Sequence, residues 1–542
     1  SLVLTVDSTV QYYLEKNLES AVEKYCAENG AFGIVMNVNT GEVLGMATIG
    51  TYDPNNYLEI CDTDALEEIE KLKETRDALE EGTEEYEEAD TAYQTAVSQA
   101  RQKQWRNRCT SDGYEPGSTF KIITMASALD AGAITLNDSF YCGGAMSVLG
   151  RDDDLHCWNL NGHGMQTTAQ ILQNSCNPGF AQAAIALGGE KFYEYVQNFG
   201  LLSQTGIDLY GEASGYFFPK DTITNPHSYA SLTSASFGQT FKITPLQLVR
   251  AISAAVNGGY VLEPYLVSEV LDADGNTVLK AEPTVVRQTI SPETSAVMRE
   301  LIRSVVTEGT AKNAQVAGFS IGGKTGTSEK IDVLDENGQP TLDKIVSFVG
   351  IAPMEDPEYI VLVALDTPSR KTGIYISGGV MAAPTVGAVM ADILPYLGVE
   401  QSWEESDPAG KKILMEDLHG LTAEDAGRKL KEAGLTPQFS GNGETVTAQL
   451  PAAGQIISGG SQVLVYLGEP PEREIVTVPD FTGMNRSQAA EAAGKLGLYI
   501  LVTGNTELLP CVTVTEQDVP SGTQIPAGTT ITLNFTDTTA RD

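Results

Sequence analysis

A turn that leads directly into a helical pattern is found in residues 114–121, which read YEPGSTFK. Proline and glycine mark the turn, and the apolar residues that follow recur at helical spacing as far as Asp130, just before Gly132. Residues three apart on a helix share a face, so the Ser118 hydroxyl and the Lys121 amine are expected to come within hydrogen-bond reach. The stretch therefore predicts a nucleophile beside a base.

A lysine can act as a base only when it is neutral. Its ordinary pKa of about 10.4 leaves roughly one side chain in 2500 neutral at pH 7. Burial and a neighbouring cation both lower the pKa of a lysine, and we predict that Lys324 is the cation beside Lys121. The spacing S-x-x-K alone is weak evidence, because it arises by chance about once or twice in a chain of this composition.

Two further polar motifs lie far downstream. Residues 175–177 read SCN and sit between two helical runs, whereas residues 324–327 read KTGT and open a strand-like segment. In an acyl transfer, Ser175 would relay the proton of the leaving group and Asn177 would hold the substrate backbone.

The later motif supplies the groups that bind a carboxylate substrate. Lys324 provides the cation, Thr325 and Thr327 provide hydroxyl groups, and Gly326 is expected to let substrate approach the strand closely. The backbone N–H groups of Ser118 and Thr327 can form an oxyanion hole. These residues make an acyl-transfer site the leading hypothesis.

Length, composition and net charge limit the classes of protein to which the chain can belong. At 542 residues with 42% apolar side chains, the chain is long enough for several domains, one of them large. A net charge of −38 repels phosphate backbones and anionic lipid headgroups, so a nucleic-acid or membrane-surface role is disfavoured. No window of about 18 uninterrupted apolar residues is present, and we expect any signal or membrane anchor to lie upstream of Ser1.

Strand-like and helical patterns predict one mixed α/β domain over residues 1–400. Residues 32–49 alternate around Asn39-Thr40-Gly41 and predict a β-hairpin, and residues 344–352 and 359–366 predict a second one. Mostly helical patterns lie between them, such as 118–130 and 244–256. Early and late strands around a helical middle predict a sheet that unites both ends of the domain.

An acidic insertion interrupts this domain over residues 62–107. Residues 62–100 carry 14 acidic and three basic side chains, and we predict two antiparallel helices over roughly 64–81 and 84–104. A solvated insertion without a partner is favoured over a docking arm for another envelope protein. Cys61 and Cys109 flank the insertion, so a disulfide across its neck is geometrically possible.

The C-terminal part repeats itself with a period of 63 residues, because Gly420 corresponds to Gly483 and Gly434 to Gly497. Two similar small domains are therefore expected, over 412–468 and 474–537, after a polar linker at 401–411. A short stiff linker, residues 469–472 (EPPE), separates them. The repeats are equally expected to bind a ligand or partner proteins, or to pack on the large domain.

Seven cysteines are scattered along the chain, so at least one thiol is unpaired within it. A zinc site at Cys142, His156, Cys157 and His163 is disfavoured, because no C-x-x-C or H-x-x-x-H spacing supports it. A Cys142–Cys157 disulfide is the favoured alternative. Cys176 is expected to be a packing residue, and we predict no metal or cofactor.

Together these motifs resemble a known family. S-x-x-K, S-x-N and K-T-G in this order are typical of penicillin-binding proteins and serine β-lactamases. With residues 236–239 (SFGQ) and 244–247 (TPLQ), residues 1–400 resemble class B penicillin-binding proteins, and the two repeats resemble PASTA domains. The acidic insertion is a departure from that pattern. The resemblance implies an α/β (α+β) transpeptidase domain with a central antiparallel sheet and a helical lobe, followed by two small α+β PASTA domains.

The resemblance also implies a function. Ser118 would attack the penultimate D-Ala of a peptidoglycan stem peptide and pass the acyl group to an amine on a neighbouring strand, and β-lactam antibiotics would acylate the same serine. A D,D-carboxypeptidase, a β-lactamase and a β-lactam-binding wall sensor or scaffold remain alternatives. We find no carboxylate motif of the kind a β-lactamase needs to activate water.

The resemblance places such an enzyme on the extracytoplasmic face of the membrane of a Gram-positive-type bacterium. Its expected partners are stem peptides, β-lactams and other proteins of wall synthesis or division, but not nucleic acid. A septal or spore-cortex role is favoured, with division, elongation and sporulation all open.

Overall fold

The first part of the chain contains a long helix, a β-hairpin and two insertion helices. This computed structural model describes residues 1–50, 52–330, 333–334, 338–402, 411–470 and 472–540. Helix α1 begins after Asp7, whose carboxylate accepts hydrogen bonds from the Thr9 and Val10 amides. The elements are β1 (Leu2–Leu4), α1 (Ser8–Tyr25), β2 (Ala31–Asn37), β3 (Val43–Thr48), a 3₁₀ helix (Pro54–Asn56), α2 (Thr63–Asp77), α3 (Glu84–Gln104), α4 (Arg108–Ser111), a 3₁₀ helix (Gly117–Phe120) and α5 (Lys121–Asp130).

The middle of the chain is mainly helical, with short strand pairs between the helices. Helix α11 begins at Pro245 after a capping box formed by Thr244 and Gln247, one residue later than the sequence predicts. The elements are β4 (Ser139–Cys142), β5 (Ala145–Met146), β6 (Leu155–His156), β7 (Gly164–Thr167), α6 (Thr168–Gln173), α7 (Asn177–Leu187), α8 (Gly189–Asn198), α9 (Lys220–Ile223), α10 (Ala230–Ser236), α11 (Pro245–Val256), β8 (Tyr260–Leu262), β9 (Val267–Leu271), β10 (Thr277–Lys280), β11 (Val285–Gln288) and α12 (Pro292–Thr307).

The large domain ends with three strands and a long helix. The predicted hairpin over 344–352 and 359–366 is confirmed at both of its strands. The elements are a 3₁₀ helix (Lys312–Ala314), β12 (Gly322–Glu329), β13 (Lys344–Ala352), β14 (Tyr359–Asp366), a 3₁₀ helix (Arg370–Thr372), a π-helix (Gly378–Ala382) and α13 (Ala383–Tyr396).

A five-stranded antiparallel sheet in the order β12-β13-β14-β2-β3 forms the centre of this domain. Strand β14 pairs with β2, so the predicted union of early and late strands in one sheet is confirmed. All eight residues of β14 are buried, because helices cover both faces of the sheet. On one face, Gly33 lies against Leu14 of α1 and Gly350 lies against Met390 of α13.

The segment Gly378–Tyr396 is long and apolar enough to cross a membrane by length and composition, and it is the one such helix among the described residues. Most of its apolar window is buried inside the domain, where it packs on the central sheet. These are the features of a core helix.

The two repeats share one topology. In each, a helix accompanies a three-stranded sheet and a two-stranded sheet, in the orders β16-β19-β17 with β15-β18 and β21-β24-β22 with β20-β23. The first repeat contains β15 (Lys412–Leu414), α14 (Ala423–Glu432), β16 (Thr436–Ser440), β17 (Ala448–Leu450), β18 (Ile456–Ser458) and β19 (Gln462–Tyr466). The second contains β20 (Ile475–Thr477), α15 (Arg486–Lys495), β21 (Tyr499–Gly504), β22 (Val512–Gln517), β23 (Gln524–Pro526) and β24 (Thr530–Asp537).

Most of the predicted linker at 401–411 lies outside the described residues, as does Pro471 of the second linker. The second repeat packs on the large domain, where Lys312 forms an ion pair of 2.9 Å with Glu507. The second repeat therefore packs on the large domain, one of the alternatives that the sequence leaves open.

The acidic insertion forms two antiparallel helices. Arg76 pairs with Asp90 at 3.2 Å near the tip, and Lys103 pairs with Asp62 at 3.0 Å near the base. Helix α2 ends at Asp77, four residues before the predicted end. Only Ile69 is buried among the residues of the two helices, so most of their surface faces solvent.

The disulfide considered across the neck of the insertion does not form. Cys61 is exposed and Cys109 is fully buried, and both are free thiols. The Cys109 sulfur donates to the Gly33 and Ala47 carbonyls, at 3.5 and 3.6 Å, so it points into the domain and away from the neck.

Candidate active site

The predicted nucleophile lies on a tight turn. Residues Gly117–Phe120 form a 3₁₀ helix that continues into α5 at Lys121, whereas the sequence predicts one helix from Ser118. Gly117 has φ +54°, and a Cβ there would lie 2.5 Å from Ser328 Oγ of β12. This position therefore requires glycine, and the turn that carries the half-buried Ser118 lies directly on β12.

The SFGQ segment supports the turn from behind. The Gly117 amide donates to the Gly238 carbonyl at 3.0 Å, and a Cβ on Gly238 would lie 2.0 Å from the Gly117 carbonyl oxygen. Thr124 of α5 donates to the Ser236 carbonyl at 2.7 Å. Residues 236–239 thus position the turn that carries the predicted nucleophile.

The Ser175 hydroxyl lies between two buried lysines. Lys121 Nζ is 3.1 Å and Lys324 Nζ is 3.0 Å from Ser175 Oγ, and all three side chains are fully buried. Lys121 also donates to the Ser175 carbonyl at 2.7 Å and to Asn177 Oδ1 at 2.8 Å. The structure therefore brings S-x-x-K, S-x-N and K-T-G together in one site.

The KTGT segment lies on an edge strand of the central sheet. Among the described strands, β12 pairs only with β13, and its other side faces the Ser118 turn. Lys324 also donates to Thr325 Oγ1 at 3.1 Å, which helps to fix the ammonium group. Thr327 is half-buried, and its hydroxyl accepts a hydrogen bond of 3.0 Å from the Gly378 amide.

Gly326 lies in a crowded part of the site. A Cβ at this position would lie 2.6 Å from Ser347 Oγ of β13, 2.9 Å from the Pro116 carbonyl oxygen and 3.0 Å from Thr119 Cγ2. The space next to Gly326 is taken by Ser347 and by the Ser118 turn, so the missing side chain lets that turn approach the strand.

Comparison with known proteins identifies the family. The family described as "Penicillin binding protein transpeptidase domain" matches residues 31–391, two thirds of the chain, and the PASTA domain family matches residues 413–469 and 476–537. This chain belongs to the penicillin-binding protein transpeptidase family. The resemblance to class B penicillin-binding proteins with two C-terminal PASTA domains is thereby confirmed, and so is the predicted fold class.

Several relatives of this penicillin-binding protein are known. "Stage V sporulation protein D" of Bacillus subtilis is 38% identical over 87% of the chain and 66% of its own length. "Probable peptidoglycan D,D-transpeptidase FtsI" of Caulobacter vibrioides is 30% identical over 74% of the chain and 59% of its own length. The chain thus spans about three fifths to two thirds of these relatives.

Solved structures support the same fold. The transpeptidase domain of Burkholderia pseudomallei penicillin-binding protein 3 is 26% identical, with a TM-score of 0.55 over 74% of this chain and 98% of that one. The ampicillin complex of Mycobacterium tuberculosis penicillin-binding protein 3 is 24% identical, with a TM-score of 0.60 over 75% of this chain and 80% of that one.

In this penicillin-binding protein, Cys176 lies inside the S-x-N motif and belongs to a thiol cluster that the sequence does not predict. All seven cysteines are free thiols, so the predicted Cys142–Cys157 disulfide does not form. Cys142, Cys157 and Cys176 converge with His163, whereas His156, which was considered with them, is exposed. The hydrogen bond from Cys176, reinforced by His163, lowers the pKa of Cys157, and it raises the pKa of Cys176.

Convergence of these four residues was missed because they come from four separate loops and strand ends. The available signal was the recurrence of Cys and His over residues 142–176. Short spacings such as C-x-x-C and H-x-x-x-H are the usual sequence signal of a zinc site, and these four residues do not follow them.

Proposed function

We propose that this chain is a serine D,D-transpeptidase that cross-links peptidoglycan stem peptides through an acyl-enzyme on Ser118. The observation that carries the proposal is the Ser175 hydroxyl, which contacts Lys324 at 3.0 Å and, at 3.1 Å, Lys121, three residues after Ser118. A hydroxyl between two amines can pass a proton from one to the other.

Acylation would proceed in two linked steps. Lys121 takes the proton of Ser118, whose oxygen bonds to the carbonyl carbon of the penultimate D-Ala. As the peptide bond breaks, the proton reaches the departing amine of the terminal D-Ala through Ser175. Full burial of Lys121 supports its role as base, because removal from water disfavours the charged ammonium form.

The β12 edge would bind the substrate. An extended peptide can add to the edge of a sheet through main-chain hydrogen bonds, and β12 has Ser118 on that side. The backbone N–H groups of Ser118 and Thr327 would stabilise the oxyanion, each worth about 3 kcal/mol of transition-state stabilisation. Thr325, Thr327 and Lys324 would receive the terminal carboxylate, and Asn177 would hold the peptide backbone.

The acyl group would then pass to an amine of a second stem peptide. That amine attacks the Ser118 ester carbonyl, loses a proton to the site, and releases the serine with its proton restored. A β-lactam would acylate Ser118 in the same way but would remain attached, because its leaving group stays tethered to the acyl fragment.

The remaining assignments belong to the same proposal. The enzyme acts on the extracytoplasmic face of the membrane of a Gram-positive-type bacterium, together with other proteins of wall synthesis or division. We assign residues 1–400 to the catalytic domain with its insertion at 62–107, 401–411 to a linker, and 412–468 and 474–537 to the PASTA domains.

The test uses a fluorescent penicillin on the purified chain. Ser118→Ala should abolish covalent labelling, because the attacking oxygen is gone. Ser98→Ala, on the exposed face of the insertion, should label like the wild type. Labelling of the Ser118→Ala protein at the wild-type stoichiometry would rule out Ser118 as the nucleophile.

A second assay separates transpeptidation from hydrolysis. The chain is incubated with a D-Ala-D-Ala peptide and an added amine acceptor, and the products are separated by mass. A peptide–amine product is expected. Hydrolysed peptide alone would contradict a transpeptidase and identify a D,D-carboxypeptidase.

A further inference from the structure

Four potential metal ligands meet beside the active site. Sγ of Cys142, Cys157 and Cys176 and a ring nitrogen of His163 all lie within 4.8 Å of one another. The three cysteines are buried and His163 is half-buried. They come from the end of β4, the loop after β6, the loop before β7 and the N-cap of α7.

The backbone around these side chains is held in place by close contacts. The Cys157 amide donates to the Gly144 carbonyl at 2.9 Å, and the His163 amide donates to the Cys142 carbonyl at 3.0 Å. Gly144 and Gly162 both have positive φ, and a Cβ on Gly162 would lie 2.4 Å from the Cys142 carbonyl oxygen. The two loops can approach this closely only because both positions are glycine.

Polar groups next to the cluster resemble those that surround metal ligands in proteins. The Gly179 amide donates to the Cys176 sulfur at 3.4 Å, an N–H···S contact that suits a thiolate better than a thiol. His163 Nε2 is buried without a hydrogen-bond partner among the described residues. Buried polar atoms of this kind call for an explanation, and the Gln166 amide lies beside the Cys176 sulfur.

We propose that Cys142, Cys157, His163 and Cys176 bind one zinc ion. Three thiolates with one imidazole are a donor set typical of four-coordinate structural zinc, and thiolates select zinc over magnesium or calcium. Zn–S bonds of about 2.3 Å in a tetrahedron put neighbouring sulfurs roughly 3.8 Å apart, so the ligand atoms need to draw together by about 1 Å at most.

Charge balance supports this ligand set. A zinc ion with three thiolates and a neutral imidazole has a net charge of −1. Lys324, the cation of the proposed mechanism, donates to Ser175 next to Cys176 and so brings a positive charge close to that centre. A buried charged group is tolerated when an opposite charge lies near it.

The proposed metal would also position catalytic groups. Cys176 lies between Ser175 and Asn177, the two residues that accept hydrogen bonds from Lys121. Ser175 has φ +52°, an unfavourable conformation for a residue with a side chain. Zinc bound to Cys176 would hold the S-x-N segment in this conformation, so the metal acts as a positioning group and not as a reactant.

The first experiment measures zinc in the purified, reduced chain supplied with Zn²⁺ alone. One zinc per chain is expected by elemental analysis and by native mass spectrometry. His163→Ala and Cys142→Ser should each reduce the bound zinc at least tenfold, whereas Cys26→Ser and Cys61→Ser, at exposed cysteines, should leave it unchanged. Zinc bound equally by the His163→Ala and wild-type proteins would show adventitious binding and overturn the proposal.

Further measurements use the wild-type chain, so they do not depend on whether the variants fold. Cobalt(II) added to the wild-type chain should give the thiolate charge-transfer and d–d absorption bands of a tetrahedral site, and these bands should be lost on addition of zinc. A wild-type chain that binds no zinc, or whose Cys157 and Cys176 are joined in a disulfide in the presence of zinc, would refute the site.

The positioning role has its own readout. Removal of zinc by a chelator should slow acylation of Ser118 by penicillin about tenfold, the loss typical of disturbed residues around a metal centre. Ser118→Ala should still bind one zinc, so the metal site and the proposed nucleophile can fail independently. An unchanged acylation rate after complete zinc removal would refute the positioning role.

Discussion

The geometry of the site depends on single residues whose backbone conformations are unfavourable in free energy. Ser175 has φ +52°, a conformation that costs a residue with a side chain about 1–2 kcal/mol. Its amide donates to the Leu172 carbonyl at 3.1 Å, and the next amide, of Cys176, donates to Ile171 at 2.9 Å. The end of α6 therefore fixes the turn that presents Ser175 Oγ to both lysines.

Gly238 offers a test of how the proposed nucleophile is positioned. In Gly238→Ala, the new Cβ would lie 2.0 Å from the Gly117 carbonyl oxygen, so the Ser118 turn must move by about 1 Å. Misplacement of that size can slow a reaction about 100-fold. The second-order rate of penicillin acylation is expected to fall by that factor.

Gly132→Ala is the matched control. Gly132 follows α5, the helix that continues the Ser118 turn, and has φ +64°, but a Cβ there meets no atom within 4 Å. Both substitutions carry the strain of positive φ, about 1 kcal/mol, and only Gly238→Ala adds a clash with the Ser118 turn. Equal acylation rates in the two variants would contradict a positioning role for residues 236–239.

At the scale of elements, the Asp366 carboxylate connects three segments through ion pairs. Asp366, at the end of β14, pairs with Arg108 of α4 at 2.5 Å and with Lys330, just after β12, at 2.9 Å. Arg108 also stacks over Phe32 of β2, 5.0 Å from the ring centre. This ion triad fixes the base of the insertion to the sheet that carries the KTGT segment.

Asp366→Asn should lower the free energy of unfolding by about 3 kcal/mol, because it leaves two largely buried cations without their carboxylate. The measurement is denaturant unfolding at pH 7. Asp77→Asn, which removes an exposed partner of Arg76, should cost less than about 1 kcal/mol. Equal losses of unfolding free energy in the two variants would show that the Asp366 ion triad does not stabilise the domain.

The same residue predicts a pH dependence. Burial raises the pKa of Asp366, but the charges of Arg108 and Lys330 outweigh this and hold the pKa below its ordinary value. Since the folded-state pKa is the lower one, the stabilisation is complete above the unfolded-state value of about 3.9 and is lost as pH falls through the folded-state pKa. Asp366→Asn should therefore lose less stability than the wild type on acidification below about pH 4.

At the scale of the whole molecule, the second PASTA domain is joined to the catalytic domain through Asn313. This buried side chain donates to the Asp537 carbonyl at 3.0 Å and accepts from the Asp537 amide at 2.8 Å and from Asn505 Nδ2 at 3.2 Å. It also donates to the Gly379 carbonyl at 2.9 Å, next to the residue that binds Thr327. One side chain thus connects the far end of the chain with the surroundings of the KTGT segment.

Asn313→Ala should loosen this interface, because buried partners that lose their hydrogen bonds cost about 1–3 kcal/mol each. Hydrogen exchange followed by mass spectrometry should show at least tenfold faster exchange at Asp537 and neighbouring amides. Asn276→Ala, in the β9–β10 turn where the side chain contacts Asp272, is the control and should leave that exchange unchanged. Unchanged protection in Asn313→Ala would show that the interface does not depend on this residue.

The sequence by itself determined the local elements and their repetition. Alternating apolar and polar residues around a turn signal predicted the β2–β3 hairpin, and two strand-like runs predicted β13 and β14, whose residues are buried on both faces in the structure. The period of 63 residues predicted the two PASTA domains, since similar sequences adopt the same topology. The order of the three motifs indicated the family before any distance was known.

Only the tertiary structure decided which side chains meet. Ser175 Oγ lies between lysines that are 54 and 149 residues away, and Gly326 leaves room for the Ser118 turn. Asn313 contacts a domain that begins about 160 residues later. Cys176 joins three partners from other loops and strand ends. The physical reason is that periodicity reports the face of an element that is buried, whereas contacts between distant elements are set by how those faces pack.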